Sequence, residues 1–411
     1  MATNDGVSIG ASGFCPKRLE NVDAYLQRLV DTGKVAGVSA MLTRHGDTAY
    51  RKSFGLADIA AKVPMTNESI YRIYSMSKTF TIVAAMTLYE KGLFKLRDPI
   101  CEFLPEFSEP KVARHDERGV VQIIPAKNPI VFEHLFTMTS GIPYPGDTSF
   151  SARAMAEINA ESVQAAKNGK PWNTAQMVAA AAKAPLCFHP GEYWMYGFSH
   201  DVLGRLIEVI SGKSYGEYLK ETILDPLGLK DTAFYVPAEK QSRLVKAYNV
   251  EAGAEGKSTL TEIPASTLPG TPTPPAFESG GGGLCSTLDD VGRYAQALLG
   301  GGKLGDVRIL SRKTIELIKM NHVVPEQLKN FGFDHMAGYG YGLGVRTLLD
   351  RAKAGSAGSV GEWAWDGMMG TWYCVDPAED LTAVFLVQRI PGAGGDLPLR
   401  FAQTFYSAID D

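Results

Sequence analysis

IYRIYSMSKTFTIVAAMTLYEKG, residues 70–92, decides how the rest of the chain is read. It sets Ser75 and Lys78 at the head of an otherwise apolar segment. Ser77 through Glu90 predicts a buried helix, with Gly92 as its stop after Lys91. Residues i and i+3 share a helix face, so Ser75 Oγ and Lys78 Nζ come within hydrogen-bond reach. A serine hydroxyl is a poor nucleophile until a base takes its proton. A lysine can be that base only if its pKa falls from about 10.4 toward neutrality. Desolvation among Ile73, Phe80 and Ile82 pushes it down, and so does the positive end of the helix dipole. The same helix start turns backbone N–H groups outward, and that of Ser75 can stabilise an oxyanion. The plainer reading is a helix that merely begins with Ser and Lys.

Outward from this stretch, Pro16 to Thr32 predicts a helix with Leu19, Val22, Leu26 and Val30 at helical spacing. Residues 37–55 predict an antiparallel hairpin around His45-Gly46-Asp47, and 371–389 a second pair of strands around DPAED. A final helix is expected from Leu397 to Ile409. Strands at both ends and helices between them predict an α+β fold, with one antiparallel sheet built from the two ends of the chain. The expected division is a discontinuous sheet domain, 1–98 with 262–411, and a mainly helical insertion, 99–261. The Pro/Thr/Gly stretch 258–283 reads as a loop that returns the chain to the sheet.

At 411 residues the chain suits two domains, or one with a large insertion. A net charge of −4 gives no electrostatic argument for nucleic acid or an anionic membrane. The five cysteines are scattered and never in C-x-x-C spacing, which favours free thiols in a reducing compartment. No basic and apolar leader opens the sequence, and no run reaches the ~18 apolar residues of a membrane span. A cytoplasmic location is the default expectation. The histidines form no H-E-x-x-H and no G-x-x-x-x-G-K-[ST] exists, so neither metal nor nucleotide cofactor is expected.

Three other matches are decoys. GVSIG around Ser8 fits a nucleophile elbow, but no central strand precedes it and no helix follows. Ser108-Glu-Pro-Lys111 repeats S-x-x-K with a proline that resists a helix. GYGYGLG (338–344) reads as a strand packed closely on a neighbour rather than a phosphate loop. Two further stretches could complete a site. Tyr196, in GEYWMYGFSHDVLGRLIE, offers a phenol whose pKa a nearby lysine would lower, suited to passing protons. Its competing reading is aromatic packing with Tyr193 and Trp194. EWAWDGMMGTWYCVD offers Met368, after Gly367, as a strand-edge N–H donor to an oxyanion, or simply an edge strand.

Taken together, these parts resemble the serine β-lactamase/penicillin-binding-protein superfamily, and within it the class C-like family VIII carboxylesterases. VAGVSAMLTRHGDTAYRKSFGLAD is similar to the family's first hairpin, and IYRIYSMSKTFT carries its S-x-x-K. IVFEHLFTMTSGIPY, FHPGEYWMYGFSHDVLGRLIEVISG, SGGGGLCSTLDDVGRYAQALLGGG and WAWDGMMGTWYCVDPAEDL follow in the family's order, over roughly residues 20–405. The resemblance implies an antiparallel sheet flanked by helices, an inserted helical domain, and an active site between them. It implies Ser75 as acyl-accepting nucleophile, Lys78 and Tyr196 sharing proton transfer, and an oxyanion hole from the N–H groups of Ser75 and Met368.

Two departures bear on substrate. Where β-lactamases have Tyr-x-Asn, this chain has Tyr196-Gly197-Phe198. Where they have Lys-Thr-Gly, it has Trp365-Asp366-Gly367. The lysine that would meet a β-lactam carboxylate is missing, and Asp366 would repel that carboxylate if it faced the site. Losing such a charge-assisted contact costs roughly 1.5–3 kcal/mol. Aromatic residues expected near the cleft entrance are Tyr144, Phe150, Trp172 and Trp363. The expected function is hydrolysis of short- to medium-chain carboxylic esters through an acyl-Ser75 intermediate, with weak cephalosporin hydrolysis as a side activity. The alternatives are a β-lactamase or D-amino-acid peptidase using Arg346 or Arg389, an acyltransferase, and a catalytically silent sensor or scaffold. The expected partner is a small-molecule ester alone.

Overall fold

The three middle strands of the large sheet carry buried side chains on both faces, which makes that sheet the centre of a three-layer structure. The computed structural model describes residues 12–116, 118–253, 257–331, 336–392 and 396–411, and the Ser8 decoy lies outside them. Helix α1 (Pro16–Asp31) leads into strands β1 (Gly37–Arg44), β2 (Asp47–Asp58) and β3 (Val63–Pro64). The short strand β4 (Ile70–Arg72) precedes helix α2 (Ser77–Glu90). Further on come α3 (Ser199–Ser211), β5 (Cys285–Thr287) and α4 (Leu288–Leu299). The chain closes with β6 (Tyr339–Tyr341), β7 (Arg346–Leu348), β8 (Trp363–Asp366), β9 (Trp372–Asp376), β10 (Leu381–Leu386) and α5 (Asp396–Tyr406).

The eight-stranded sheet has the order β6-β7-β8-β9-β10-β1-β2-β3. Its pairs are antiparallel, and β1 meets β10 with Ser39 opposite Leu386 and Arg44 opposite Leu381. The N-terminal hairpin therefore completes a sheet begun by the C-terminal strands, as the sequence predicts. Alternation along each strand separates two cores. Val38, Ala40, Leu42, Trp372, Cys374 and Phe385 face α1 and α5. Met41, Tyr373, Val375, Val384 and Leu386 face the layer that holds α2 and α4. α2 is buried along nearly its whole length, Ser77 through Leu88, so it serves as the post about which the helical part packs.

The 258–283 stretch is not all loop. Ser258–Glu262 is a strand, paired antiparallel with Tyr248–Ala252. Its Ser-Thr-Leu-Thr-Glu alternation is a strand pattern, hidden when the prolines further on are read with it. The middle region also holds a hairpin of Lys111–His115 with Val121–Pro125, in which Lys111 opens a strand rather than joining Ser108 on a helix. The cysteines are free. Among the described residues no helix is long and apolar enough to cross a membrane.

The glycine-rich stretch 338–344 packs the sheet edge against α2. Gly344 has φ +74°, and a Cβ there would lie 1.8 Å from Ile82 Cδ1. Both the left-handed backbone and the overlap disfavour a side chain. Gly344→Ala is expected to lower stability by about 1–3 kcal/mol. A urea midpoint equal to that of the parent chain would show that α2 and this edge are not tightly packed.

Candidate active site

Ser75 sits where the chain changes direction. A single 3₁₀ turn, Tyr74–Met76, joins β4 to α2, and Tyr74 takes φ +43°, a left-handed value uncommon for a side-chain-bearing residue. The preceding residue is held on both sides: Ile73 N–H donates to Leu284 O at 3.0 Å, and Thr371 Oγ1 donates to Ile73 O at 3.2 Å. This leaves Ser75 partly accessible at the mouth of the helix while Lys78 points inward.

Lys78 is fully buried. Its Nζ donates to Gly281 O at 2.5 Å, to Tyr144 Oη at 2.8 Å and to Ser75 Oγ at 3.3 Å. Burial lowers its pKa to about 7, against weaker opposing pulls from Asp201 and Asp366. The direction agrees with the sequence expectation, and desolvation is the cause. Gly281 can approach this closely because it lacks a side chain. A Cβ there would fall 2.4 Å from Asp201 Oδ2 and 2.8 Å from Tyr144 Oη.

Two tyrosines flank the amine. Nζ lies 4.6 Å from the ring centre of Tyr196 and 5.3 Å from that of Tyr144. The rings meet edge-on at 5.7 Å because the backbones carrying them run together: Phe198 N–H donates to Ile142 O at 3.1 Å. Ser75 and Trp365 both hydrogen-bond the Tyr196 hydroxyl, Trp365 Nε1 donating at 3.3 Å. Yet the Tyr196 pKa is raised, because burial outweighs those hydrogen bonds. This reverses the expectation of a lowered phenol. A lysine that itself releases its proton near neutrality supplies too little positive charge to offset desolvation.

The remaining predicted residues divide by position. Gly367 N–H closes a turn onto Thr371 O at 2.7 Å. Met368, beyond it, is 43% exposed. Among the described residues neither Ser75 N–H nor Met368 N–H donates to a backbone carbonyl outside regular elements. Asp366 is ion-paired with Arg346, Nη1 to Oδ2 at 3.1 Å, and Arg346 is buried. Arg389 bonds the carbonyls of Lys34 and Pro391 instead. Phe198 and Trp365 are buried, the first packing edge-on against Tyr144. Trp172 packs half-buried on the helical core, Phe150 is exposed, and Trp363 is a core residue.

A cleft of about 480 Å³ opens beside Tyr144 and Tyr196, walled by Phe188, Tyr193 and Met195. Ser75 and Lys78 line neither this cleft nor a larger cavity of about 670 Å³ bordered by Leu219, Phe234 and Glu278; only the smaller one reaches Tyr144 and Tyr196. Among the described residues no cluster of His, Cys, Asp and Glu could hold a metal ion.

Sequence reasoning missed the contacts of Tyr144 Oη and Gly281 O with Lys78, and the buried Asp201 behind them. The run of four glycines at 280–283 was the available signal, since such a run permits close backbone approach. The buried lysine also predicts a stability effect. Its proton is bound with a pKa of about 7 in the folded chain against an ordinary 10.5. Between these values the unfolded state holds more proton, so stability rises with pH there. Denaturant unfolding from pH 7 to 9.5 should therefore rise more steeply for the parent chain than for Lys78→Met, by at most about 1.4 kcal/mol per pH unit. Parallel curves for the two would mean that Lys78 keeps an ordinary affinity for its proton.

The sequence profile of the family described as Beta-lactamase matches residues 22–403. Esterase EstB of Burkholderia gladioli is 26% identical over 406 residues, covering 94% of each chain. Lovastatin esterase of Penicillium rubens is 27% identical over 405 residues, covering 93% of this chain and 96% of its own. Among solved structures, EstCE1, a hydrolase with promiscuous acyltransferase activity, superposes with a TM-score of 0.76 at 26% identity, over 95% of this chain and 98% of its own. The profile match and the shared fold lead to one conclusion: this chain belongs to the Beta-lactamase family, within the serine hydrolase superfamily that also includes the penicillin-binding proteins.

Proposed function

We propose that the chain is a family VIII-like carboxylesterase that hydrolyses short- to medium-chain esters through an acyl-Ser75 intermediate. The observation that carries this reading is the buried Lys78 amine, with a pKa of about 7, within 3.3 Å of Ser75 Oγ. Ser75 Oγ attacks the ester carbonyl carbon and Lys78 Nζ takes its proton. The new oxyanion lies between the N–H groups of Ser75 and Met368. Tyr196, kept protonated by its raised pKa, donates a proton as the carbon–oxygen bond to the alcohol breaks. One proton thus passes from Ser75 to the leaving alcohol, with Lys78 and Tyr196 as carriers. Water then attacks the acyl carbon, giving up a proton to the same carriers; the bond to Ser75 Oγ breaks, the carboxylic acid leaves, and that proton restores the serine hydroxyl.

Two features favour neutral esters over β-lactams. Arg346, a candidate to receive a substrate carboxylate, is already paired with Asp366, so its charge is not free for that role. The cleft beside Tyr144 and Tyr196 is walled largely by aromatic and apolar side chains, which suits an uncharged substrate arm. EstB and lovastatin esterase, both named as esterases, agree with this choice.

On p-nitrophenyl butyrate, Ser75→Ala is expected to lose at least about 10³-fold in kcat while remaining folded. Turnover that survives this change would reject the reading. The acid limb of kcat/KM should fall near pH 7, where Lys78 becomes neutral. Nitrocefin turnover should be far slower than that of the ester, and the opposite ranking would favour a β-lactamase.

A further inference from the structure

Gly281 joins Lys78 to a second buried charge. Asp201, in the first turn of α3, is 1% exposed. Its Oδ1 accepts from Ser279 Oγ at 2.5 Å and from Gly281 N–H at 3.1 Å. The carbonyl of the same Gly281 accepts from Lys78 Nζ at 2.5 Å. A carboxylate and an amine thus hold opposite ends of one residue. Unpaired buried carboxylates are costly, and among the described residues Lys78 is the one cation that acts on Asp201. Its compensation comes from two hydrogen bonds, the start of α3 and the amine beyond Gly281.

We propose that Asp201 is a positioning residue for Lys78: it clamps the Ser279–Gly281 turn so that the Gly281 carbonyl receives the amine, and it sets a carboxyl group behind that peptide. This rests on the esterase reading in so far as Lys78 serves as base. Other titratable groups face the amine. Tyr144 and Tyr196 have raised pKa values and stay neutral phenols. His200, on the same turn of α3, is buried and held neutral, with its affinity for a proton further reduced by Lys78. Asp366 approaches from β8, but its charge is shared with Arg346. Tyr215, whose raised pKa Asp201 contributes to, bonds Thr81 and stays a neutral phenol. Burial raises the Asp201 pKa, while Lys78 and the bonds from Ser279 and Gly281 favour its ionised form, and among the described residues no other cation pairs with it at contact distance. Its helix-start position alone would explain an acidic residue, but not a carboxylate aimed at the peptide that holds the amine.

Asp201→Asn keeps an oxygen that accepts from Ser279 and Gly281 but removes the charge. Without that charge Lys78 should release its proton more easily. The acid limb of kcat/KM for p-nitrophenyl butyrate is expected to move to lower pH, on the order of one unit. Asp201→Ala removes the clamp as well, and its kcat should fall at least about tenfold with KM little changed. A melting curve on each variant reports folding. Carbon-13 NMR of labelled lysines, with Lys78→Met for assignment, reads the Lys78 titration without any substrate. The same downward shift should appear there in Asp201→Asn. If the parent chain lacks esterase activity but the NMR shift is present, the esterase reading fails and the role of Asp201 stands. If Asp201→Asn leaves the Lys78 titration unchanged, or moves it upward, Asp201 is only a structural cap and the proposal is overturned.

Discussion

One amine held away from water organises this molecule. Lys78 sits in a wholly buried position and directs its three hydrogen bonds to Ser75, Tyr144 and Gly281. A long cationic side chain is rarely enclosed unless its environment removes the proton or supplies a partner. Both occur here, since desolvation brings its pKa to about 7 and a backbone carbonyl takes one of its N–H groups. The surrounding elements follow from that requirement. The 3₁₀ turn brings Ser75 to the helix mouth, the loop after Ile142 delivers a phenol, and the glycine run delivers a carbonyl where a side chain could not fit.

Apart from the Asp201 carboxyl, which pulls the Lys78 pKa upward, the groups around the amine are neutral or internally paired. Tyr144 and Tyr196 remain phenols, His200 remains uncharged, and Arg346 with Asp366 forms an internal pair. Under the proposed mechanism this neutrality matters, because an amine at the edge of ionisation responds to any unbalanced charge nearby. It also explains why losing the Lys-Thr-Gly cation need not leave a vacant charge: the strand that would carry it holds an acid tied to an arginine on the next strand. Under the proposed function, recognition of the substrate rests on shape and apolar contact.

Much of the framework was legible along the chain, for reasons local to each segment. The first helix carries a 3.6-residue pattern, α2 is an apolar run too long for a strand, and the N-terminal hairpin and closing strands are β-branched and apolar runs bounded by turn residues; all lie where the sequence points. The strand at Ser258–Glu262 was missed because a proline-rich neighbourhood masked a short alternation. Ser75 and Lys78 could be paired in advance because three helical residues fix their separation. The raised pKa of Tyr196 could not, since it depends on burial by Trp365 and Tyr144 from distant segments. Trp363, read as a cleft aromatic, turned out to be core, because an indole on a strand faces whichever layer the pleat assigns.

From the sequence alone came the family's order of blocks, the sheet made from both chain ends, and a serine and lysine one turn apart, because each depends on local periodicity or on motif order. Tertiary structure alone decided which carbonyl and which phenol meet the lysine, that Asp366 is paired with Arg346, and that Asp201 lies behind Gly281. Those contacts join residues 66 to 203 positions from Lys78 along the chain, or residues on different strands, and no local pattern encodes a distance across such a separation. The degree to which water is excluded, and therefore the state of the amine, exists only once the layers have closed.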